Sequence, residues 1–315
     1  MPEPAALNIP ARSYSDRQYV FTENEQLWRK AWLLVAATDQ VARPGDYTET
    51  RFGLAPMMLV RGTDGRLRGF ENTCQHQGAP LCLGSGEGLT EIECKNHRWS
   101  WTLSGRLTAV DFGAPVGDAQ DVPLPPLVVE TWGPFVFATF DPGAPKLADA
   151  IAPLIATLEA AGIDPDGLRC RSVVSTLVGG NWKSLVDGAT AVGDVPDLGV
   201  RQYPNLMVQV DDGTVTIVRA RPFVSIDRAQ FDVLVFEPRP AGEPSDDADH
   251  RPLEVTLKGA AAELPDESGV DPALIAYARR QLGAIPPTDD LTADASTPEL
   301  LALHAWLADF GVSAG

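Results

Sequence analysis

The sequence predicts an α+β protein of two domains. Apolar runs separated by Gly-containing turns fill residues 46–140, and this spacing is typical of a small antiparallel β domain. Residues 142–145 are rich in Pro and Gly and predict a linker. Beyond it, strand-like runs are mixed with helical patterns. A length of 315 residues also favours two domains, which we expect at residues 1–145 and 146–315.

Residues 15–36 predict an amphipathic helix with Phe21, Leu27, Trp28 and Trp32 on or near one face. Residues 147–161 predict a short helix after the linker. The clearest strands of the first domain are expected at residues 57–60, 67–70 and 135–138.

The second domain is predicted to combine a meandering sheet with late helices. Its strand-like runs are residues 206–210, 215–220 and 231–236, with a turn at residues 211–213. Its helical patterns are residues 271–282 and 297–310. Residues 239–252 are rich in Pro, Asp and Glu and predict an exposed loop.

Four potential metal ligands stand in two pairs, Cys74 with His76 and Cys94 with His97. The chain holds only four cysteines and four histidines, and two of each form these pairs within residues 74–97. Two thiolates and two imidazoles can hold one zinc ion, or a [2Fe–2S] cluster with both histidines on one iron. Zinc fingers have one pair of cysteines and one pair of histidines, whereas each pair here contains one Cys and one His. The mixed pairs favour the cluster, with the cysteines on the inner iron and the histidines on the outer iron near the surface.

The flanking residues resemble the Rieske domain of Rieske non-haem iron oxygenases. Asn72 and Thr73 precede the first pair, Gly-Ala-Pro-Leu at residues 78–81 follows it, and Trp-x-Trp-x-Leu-x-Gly at residues 99–105 follows the second pair. The resemblance implies an antiparallel β Rieske domain joined to a helix-grip (START/Bet v1-like) domain. It also implies a [2Fe–2S] cofactor that receives electrons from a reductase or ferredoxin.

The second loop predicts a low reduction potential. Hydroxyl groups that hydrogen-bond to the cluster sulfurs or to a ligating thiolate raise the potential. Trp99 and Trp101 occupy the positions where high-potential respiratory Rieske proteins have Ser and Tyr, and an indole has no hydroxyl. The two other cysteines, Cys82 and Cys170, are predicted to be buried thiols.

The same resemblance implies a mononuclear iron site that follows Asn181-Trp182-Lys183. A ferrous site of this kind uses two imidazoles and one carboxylate. The family's early acidic residue is kept as Asp187, but Asp194 and Gly199 stand at its two histidine positions. Further departures are Gly188, Ala191 and Gly193, where Ala191 replaces an Asp that bridges a cluster histidine to an iron ligand of the neighbouring subunit. We therefore predict that mononuclear iron is absent and that the chain has no catalytic residue.

Other candidate ligands are few. The remaining histidines, His250 and His304, are predicted to be ordinary surface or helix-edge residues, and the family's last carboxylate would fall near Asp266 or Asp271. A carboxylate-only metal site at Asp187, Asp194 and Asp197 is an alternative to a solvated acidic loop.

The predicted function is an electron-transferring Rieske oxygenase subunit whose partner is a catalytically complete paralogue in a hetero-oligomer of the trimer-ring type. One alternative is an active monooxygenase or demethylase with a carboxylate-rich iron site. Another is a protein whose second domain holds a small apolar ligand without chemistry.

Charge and hydropathy limit the other partners. A net charge of −18 argues against nucleic-acid binding, which needs clustered Lys and Arg. The sequence has no apolar run of membrane-spanning length and no basic-then-apolar start typical of a signal peptide. We expect a cytoplasmic protein without a membrane partner and without disulfides.

Overall fold

The structure is a computed structural model that describes residues 11–111, 114–115, 122–184, 186, 200–202, 204–242 and 250–257. The predicted helices at residues 271–282 and 297–310 lie outside these ranges. So do the positions discussed above for the mononuclear iron site, which are Asp187, Gly188, Ala191, Gly193, Asp194, Asp197, Gly199, Asp266, Asp271 and His304.

The N-terminal segment forms short helical turns instead of the single helix predicted for residues 15–36. A 3₁₀ turn at Ala11–Tyr14, helix α1 at Gln18–Glu23 and a π-turn at Asn24–Trp28 follow one another. The prediction is wrong beyond Trp28, because Leu33–Ala37 is an extended strand that pairs with Phe135–Thr139. Phe21, expected on the apolar face, is 61% exposed.

The first part of the chain builds two antiparallel sheets, as predicted. The larger has the strand order β1-β11-β10-β4-β3-β2-β5 and the smaller has the order β6-β7-β8-β9. The strands are β1 Leu33–Ala37, β2 Tyr47–Phe52, β3 Ala55–Arg61, β4 Leu67–Glu71, β5 Ser85–Gly86, β6 Ile92–Glu93, β7 Ser100–Trp101, β8 Leu107–Val110, β9 Ala114–Pro115, β10 Pro126–Trp132 and β11 Phe135–Thr139.

The helix predicted at residues 147–161 is divided in two. Helix α2 spans Leu147–Ala150 and helix α3 spans Ala152–Ala160, with Ile151 between them at φ −105° and ψ 17°. Pro153 lies in the first turn of α3, where a missing N–H breaks no intrahelical hydrogen bond. The predicted domain boundary at residue 145 falls between β11 and α2 and stays a prediction.

The second part of the chain builds a six-stranded sheet with the order β13-β14-β15-β16-β12-β17. Its three predicted strands are confirmed, and Asp212 and Gly213 turn between two of them with φ 43° and 77°. Positive φ at both central residues suits a two-residue hairpin. The strands are β12 Leu168–Gly179, β13 Val200–Gln202, β14 Leu206–Asp211, β15 Thr214–Pro222, β16 Arg228–Pro238 and β17 Leu253–Leu257.

A buried ion triad ties the large first sheet to the second sheet. Asp232 is fully buried and accepts hydrogen bonds from Arg219 at 2.8 Å and from Arg221 at 2.5 Å. The same guanidinium groups donate to the backbone carbonyls of Leu34 at 2.7 Å and Arg51 at 3.1 Å. Burial alone would raise the pKa of Asp232, but the two cations lower it below its ordinary value.

The predicted exposed loop at residues 239–252 is anchored at its end, so that part of the prediction is wrong. His250 Nε2 lies 2.6 Å from the carbonyl oxygen of Cys170. Arg251 forms an ion pair of 2.8 Å with Asp46 of the first part of the chain. Residues 243–249 lie outside the described part.

The described residues form an α+β fold, which confirms the predicted class. None of the helices in the described ranges has the length and apolar character needed to span a bilayer.

Candidate metal centre

The first ligand loop is a tight backbone turn after β4. The Cys74 N–H donates to the Ala79 carbonyl at 2.7 Å, and the Gly78 N–H donates to the Cys74 carbonyl at 2.9 Å. Gly78 has a φ of 73°, a left-handed conformation that glycine adopts without steric cost. The glycine in the sequence therefore meets a real backbone requirement of the turn.

The second ligand loop, between β6 and β7, repeats this turn. The Cys94 N–H donates to the Trp99 carbonyl at 2.8 Å, and the Arg98 N–H donates to the Cys94 carbonyl at 2.9 Å. Arg98 holds the position equivalent to Gly78 and has a φ of 61°. The spacing of the ligands did not reveal this equivalence, because His76 is the second residue after its cysteine and His97 is the third.

Asn72 fixes the chain that follows the first loop, a role that the sequence did not reveal. Its side chain is buried, and its amide nitrogen donates to the Cys82 carbonyl at 2.8 Å and to Glu49 Oε2 at 2.9 Å. Its amide oxygen accepts from the N–H groups of Leu81 at 3.1 Å and Cys82 at 2.9 Å. All the hydrogen-bonding capacity of the amide is used to hold residues 81–82 beside the loop.

The structure brings the four predicted ligands together. Cys74 and Cys94 are 3% and 1% exposed, and both belong to the same buried apolar cluster. The rings of His76 and His97 are partly exposed, and their centroids are 4.7 Å apart at an interplanar angle of 77°. The cysteines are thus buried and the imidazoles lie near the surface, which is the arrangement that the sequence predicted for a cluster.

The donor set fits a [2Fe–2S] cluster. His76 Nδ1 is buried and has no hydrogen-bond partner within the described structure, which is costly unless another group binds it. Burial raises the pKa of Cys74, and the adjacent Cys94 raises it further, so a neighbouring cation would favour the Cys74 thiolate. In the described ranges no three His, Cys, Asp or Glu side chains are placed to hold a single ion, whereas a two-iron cluster needs two protein ligands per iron.

Trp99 positions one of the imidazoles. Its indole lies parallel to the ring of His76, with centroids 5.0 Å apart and an interplanar angle of 3°. Its Nε1 donates to Asp111 at 3.2 Å, and Trp101 Nε1 donates to the Val122 carbonyl at 2.9 Å. Both indole N–H groups are therefore engaged elsewhere, and the low reduction potential expected from the missing hydroxyls stays a prediction.

The two other cysteines are buried free thiols, as predicted. Burial raises the pKa of Cys82 to about 11 and holds the pKa of Cys170 well above its ordinary value. Neither thiol is ionised near neutral pH, which suits packing rather than metal binding.

The Asn181-Trp182-Lys183 triplet is buried and its side chains have protein partners. Trp182 packs edge-on against Trp28 at a centroid distance of 4.8 Å, and its Nε1 donates to Glu23 Oε2 at 2.8 Å. Lys183 forms a buried ion pair with the other oxygen of Glu23. Asn181 Oδ1 accepts from the Lys183 N–H at 3.0 Å. The triplet thus attaches residues 181–183 to Glu23 at the end of α1 and to Trp28, a packing role that the sequence did not reveal.

Comparison with known proteins identifies the first part of the chain. A model of the Rieske [2Fe-2S] domain matches residues 31–123. The chain is 33% identical over 184 residues to the carnitine monooxygenase oxygenase subunit of Escherichia coli (strain K12), which covers 58% of the chain and 49% of that protein. It is 24% identical over 184 residues to the glycine betaine monooxygenase oxygenase subunit of Pseudomonas aeruginosa (strain UCBPP-PA14), covering 58% and 42%. The chain spans about half the length of the curated relatives it matches.

Solved structures share the fold. The apo form of the quaternary ammonium Rieske monooxygenase CntA aligns with a TM-score of 0.63 at 24% identity, covering 77% of this chain and 78% of that one. Naphthalene 1,2-dioxygenase from Rhodococcus sp. aligns with a TM-score of 0.58 at 16% identity, covering 78% and 76%. The protein is therefore a Rieske-domain protein with an oxygenase-type fold. These matches confirm the resemblance to Rieske non-haem iron oxygenases that the loop residues predicted.

Proposed function

We propose that this chain is the electron-carrying subunit of a Rieske oxygenase and that its own mononuclear iron site does not function. Cys74 and Cys94 would hold the inner iron of the cluster, and His76 and His97 the outer iron. When bound, a [2Fe–2S] cluster supplies reversible storage of one electron. The observation that carries this proposal is the convergence of the four side chains, with His76 Nδ1 buried and unpartnered.

The surroundings of the four residues suit electron transfer. The cysteines lie in an apolar core, whereas the imidazoles reach the surface and offer the shortest route between the cluster and another protein. The repeated backbone turns and the stack of Trp99 on His76 hold these rings in place. Fixed ligands limit reorganisation when an electron arrives.

The proposal of a non-functional iron site rests on the small number of histidines that could bind a mononuclear iron. A facial triad needs two of them, and the printed sequence holds four histidines in all. Two belong to the ligand loops, and His250 has one ring nitrogen against the Cys170 carbonyl. At the two family positions stand Asp194 and Gly199, and glycine has no donor.

A catalytic partner follows from this deficiency. A cluster in a ring of identical subunits would have no iron to reduce, so we propose a hetero-oligomer with a catalytically complete paralogue. Inter-subunit electron transfer is named for a solved quaternary ammonium Rieske monooxygenase with this fold, and it supports a relay from one subunit to another. A reductase or ferredoxin would supply the electrons. The predicted cytoplasmic location stays a prediction.

The alternative is a working oxygenase whose iron is held by carboxylates of Asp187, Asp194 or Asp197. It is favoured by the relatives, which are named as oxygenase subunits of carnitine and glycine betaine monooxygenases. In that case a quaternary ammonium compound would be the substrate class.

A single-turnover experiment separates the two functions. The purified chain, fully reduced and then exposed to oxygen with carnitine or glycine betaine, should give no oxygenated product on its own. Addition of a catalytically complete carnitine or glycine betaine oxygenase subunit should restore product. Product formed by the chain alone would contradict our proposal and support the alternative.

A further inference from the structure

Glu49 holds both ends of the first ligand loop. It lies in the middle of β2, which pairs with β3 along its whole length, so the sheet fixes its backbone. At the start of the loop, Glu49 Oε2 accepts a hydrogen bond of 2.9 Å from the Asn72 amide nitrogen. At the end of the loop, the Glu49 N–H donates to the Gly84 carbonyl at 2.9 Å. One residue of the sheet therefore spans the segment that carries Cys74 and His76.

Asn72 connects this anchor to the loop. Its amide is buried and also bonds the backbone of Leu81 and Cys82 at 2.8–3.1 Å, which closes residues 72–82 into a ring. An amide can turn by 180° with little change in shape, and this turn would exchange its donor and its acceptor. A carboxylate only accepts hydrogen bonds, so Glu49 allows the one orientation in which the amide nitrogen faces β2.

The Glu49 side chain carries a charge that this anchoring contact does not need. A neutral Gln could accept the same hydrogen bond, and burying a carboxylate costs desolvation energy. Burial raises the pKa of Glu49 above its ordinary value, and the lowering by Arg51, Arg221 and Asn72 does not cancel the rise. No ion pair among the described residues includes Glu49. Burial and then Glu49 raise the pKa of Cys82, so the field of the carboxylate reaches the loop. A half-buried anion without an ion pair indicates a use for its charge.

We propose that Glu49 is a positioning residue of the Rieske centre, which anchors the first ligand loop and lowers the reduction potential through its negative charge. The inference rests on the proposed function, because it needs a cluster in the loops. Reduction adds one electron to the cluster from a one-electron donor, and no bond forms or breaks. A fixed anion beside the loop repels the added charge, and partial burial weakens the screening by solvent. The charge therefore acts in the same direction as the missing hydroxyl groups at Trp99 and Trp101.

The test first removes the charge and keeps the anchor, in the full-length chain that carries its cluster. Glu49→Gln retains an oxygen that can accept from Asn72. In an anaerobic redox titration followed by EPR, the ratio of reduced to oxidised cluster at a given potential should rise about three- to tenfold. This is a rise in potential of about 28–59 mV, since a tenfold change corresponds to 59 mV for one electron. The EPR line shape and the iron content should stay unchanged.

A second variant, Glu49→Ala, removes the anchor as well. The Asn72 amide nitrogen then loses a charge-assisted hydrogen bond, so the loop should open more often. Loss of iron to the chelator bathophenanthroline should become about tenfold faster than in Glu49→Gln. The matched control is Glu130→Gln, which removes the same charge at an exposed position of β10 in the same sheet. In this control the ratio of reduced to oxidised cluster should stay within about twofold of the unaltered chain.

Three results would overturn the proposal. Equal potentials for Glu49→Gln and the unaltered chain would show that this charge does not act on the cluster. An equal shift in Glu130→Gln would assign the effect to the net charge of the chain and not to this position. Equal rates of iron loss in Glu49→Ala and Glu49→Gln would show that the loop does not need the anchor. A purified unaltered chain without a Rieske EPR signal would instead overturn the proposed function, and the spectrum reveals that before any variant is titrated.

Discussion

The ligand loops and the Asn181 triplet both match the same family, but their side chains have opposite surroundings. In the first loop, His76 Nδ1 is buried without a hydrogen-bond partner. At the triplet, Trp182 and Lys183 are buried and both are bound by Glu23. A buried polar atom without a protein partner indicates a missing ligand, whereas a satisfied one indicates a role in the fold. The presence of the triplet is therefore explained by packing and does not argue for a mononuclear iron.

The largest effect is expected at the loops. Cys94→Ala should abolish the Rieske EPR signal and the visible absorption of the cluster, because one iron loses a protein ligand. Cys82→Ala is the matched control, since its thiol is buried with a pKa near 11 and should bind no iron. Retention of the full signal in Cys94→Ala would contradict the ligand assignment.

Loss of the Glu23 contacts to the triplet should lower the stability of the protein and leave the cluster unchanged. Glu23→Gln leaves Lys183 buried without its counter-ion and should cost about 3–5 kcal/mol in the free energy of unfolding, measured in urea. The cluster spectrum should be unchanged before unfolding begins. Glu25→Gln, an exposed neighbour, should stay within about 0.5 kcal/mol. The comparison between the two regions would fail if Glu23→Gln lost the cluster while the fold persisted.

A third prediction concerns the ion triad that joins the sheets. Asp232→Asn should cost about 3–5 kcal/mol at pH 7, because Arg219 and Arg221 lose a buried counter-ion. The folded pKa of Asp232 lies below its ordinary value of 3.8, so this stabilisation is present above pH 3.8 and is lost as pH falls through the folded pKa. Unfolding curves of the two proteins should therefore differ most near neutrality and converge in strong acid. A difference that is constant with pH would contradict the role of this carboxylate.

The environment of the loops also predicts the reduction potential. The cluster should titrate toward the lower end of the range of about −150 to +300 mV known for Rieske centres. Trp99→Ser should raise the potential by about 20–65 mV relative to Trp99→Ala, which is the value of one added hydrogen bond of ~0.5–1.5 kcal/mol. Both variants lose the stack on His76, so their difference isolates the hydroxyl. A clearly positive potential for the unaltered protein would contradict the prediction.

The smallest expected effect is a change in stability at the equivalent turn positions of the two loops. Arg98→Gly should stabilise the protein by up to about 1 kcal/mol. The left-handed conformation costs a non-glycine residue ~1–2 kcal/mol, and part of this gain is lost because glycine loses more conformational entropy on folding. Gly78→Ala should destabilise it by about 1 kcal/mol at the equivalent position, where space for a Cβ is open and only the φ of 73° opposes it. Thermal unfolding of both variants checks the equivalence of the turns.

The convergence of the four candidate ligands could be predicted because its evidence is local in the sequence. Cys and His stand in adjacent pairs, and their neighbours carry the family pattern. The turn shared by both loops could not be predicted, because the histidines differ in spacing and Arg98 hides the need for a positive φ. Tertiary contacts were equally hidden, as shown by Glu23, which lies 160 residues before its partner Lys183.

The N-terminal helix was predicted too long for a related reason. The apolar residues up to Ala36 satisfy a helical period, yet Leu33–Ala37 is buried on both sides and pairs with β11. Continuous apolar runs do not distinguish a buried helix from a buried strand. Only the position of β11 in the sheet decides between them.

Metal analysis of anaerobically purified protein tests the central claim most directly. Iron and acid-labile sulfide are counted per chain and read beside the visible and EPR spectra. Two irons and two sulfides with a Rieske signal are the predicted result, and they would direct the search to a catalytic paralogue. Three irons for two sulfides would contradict the non-functional site and identify the chain as an oxygenase with an unusual iron ligand set.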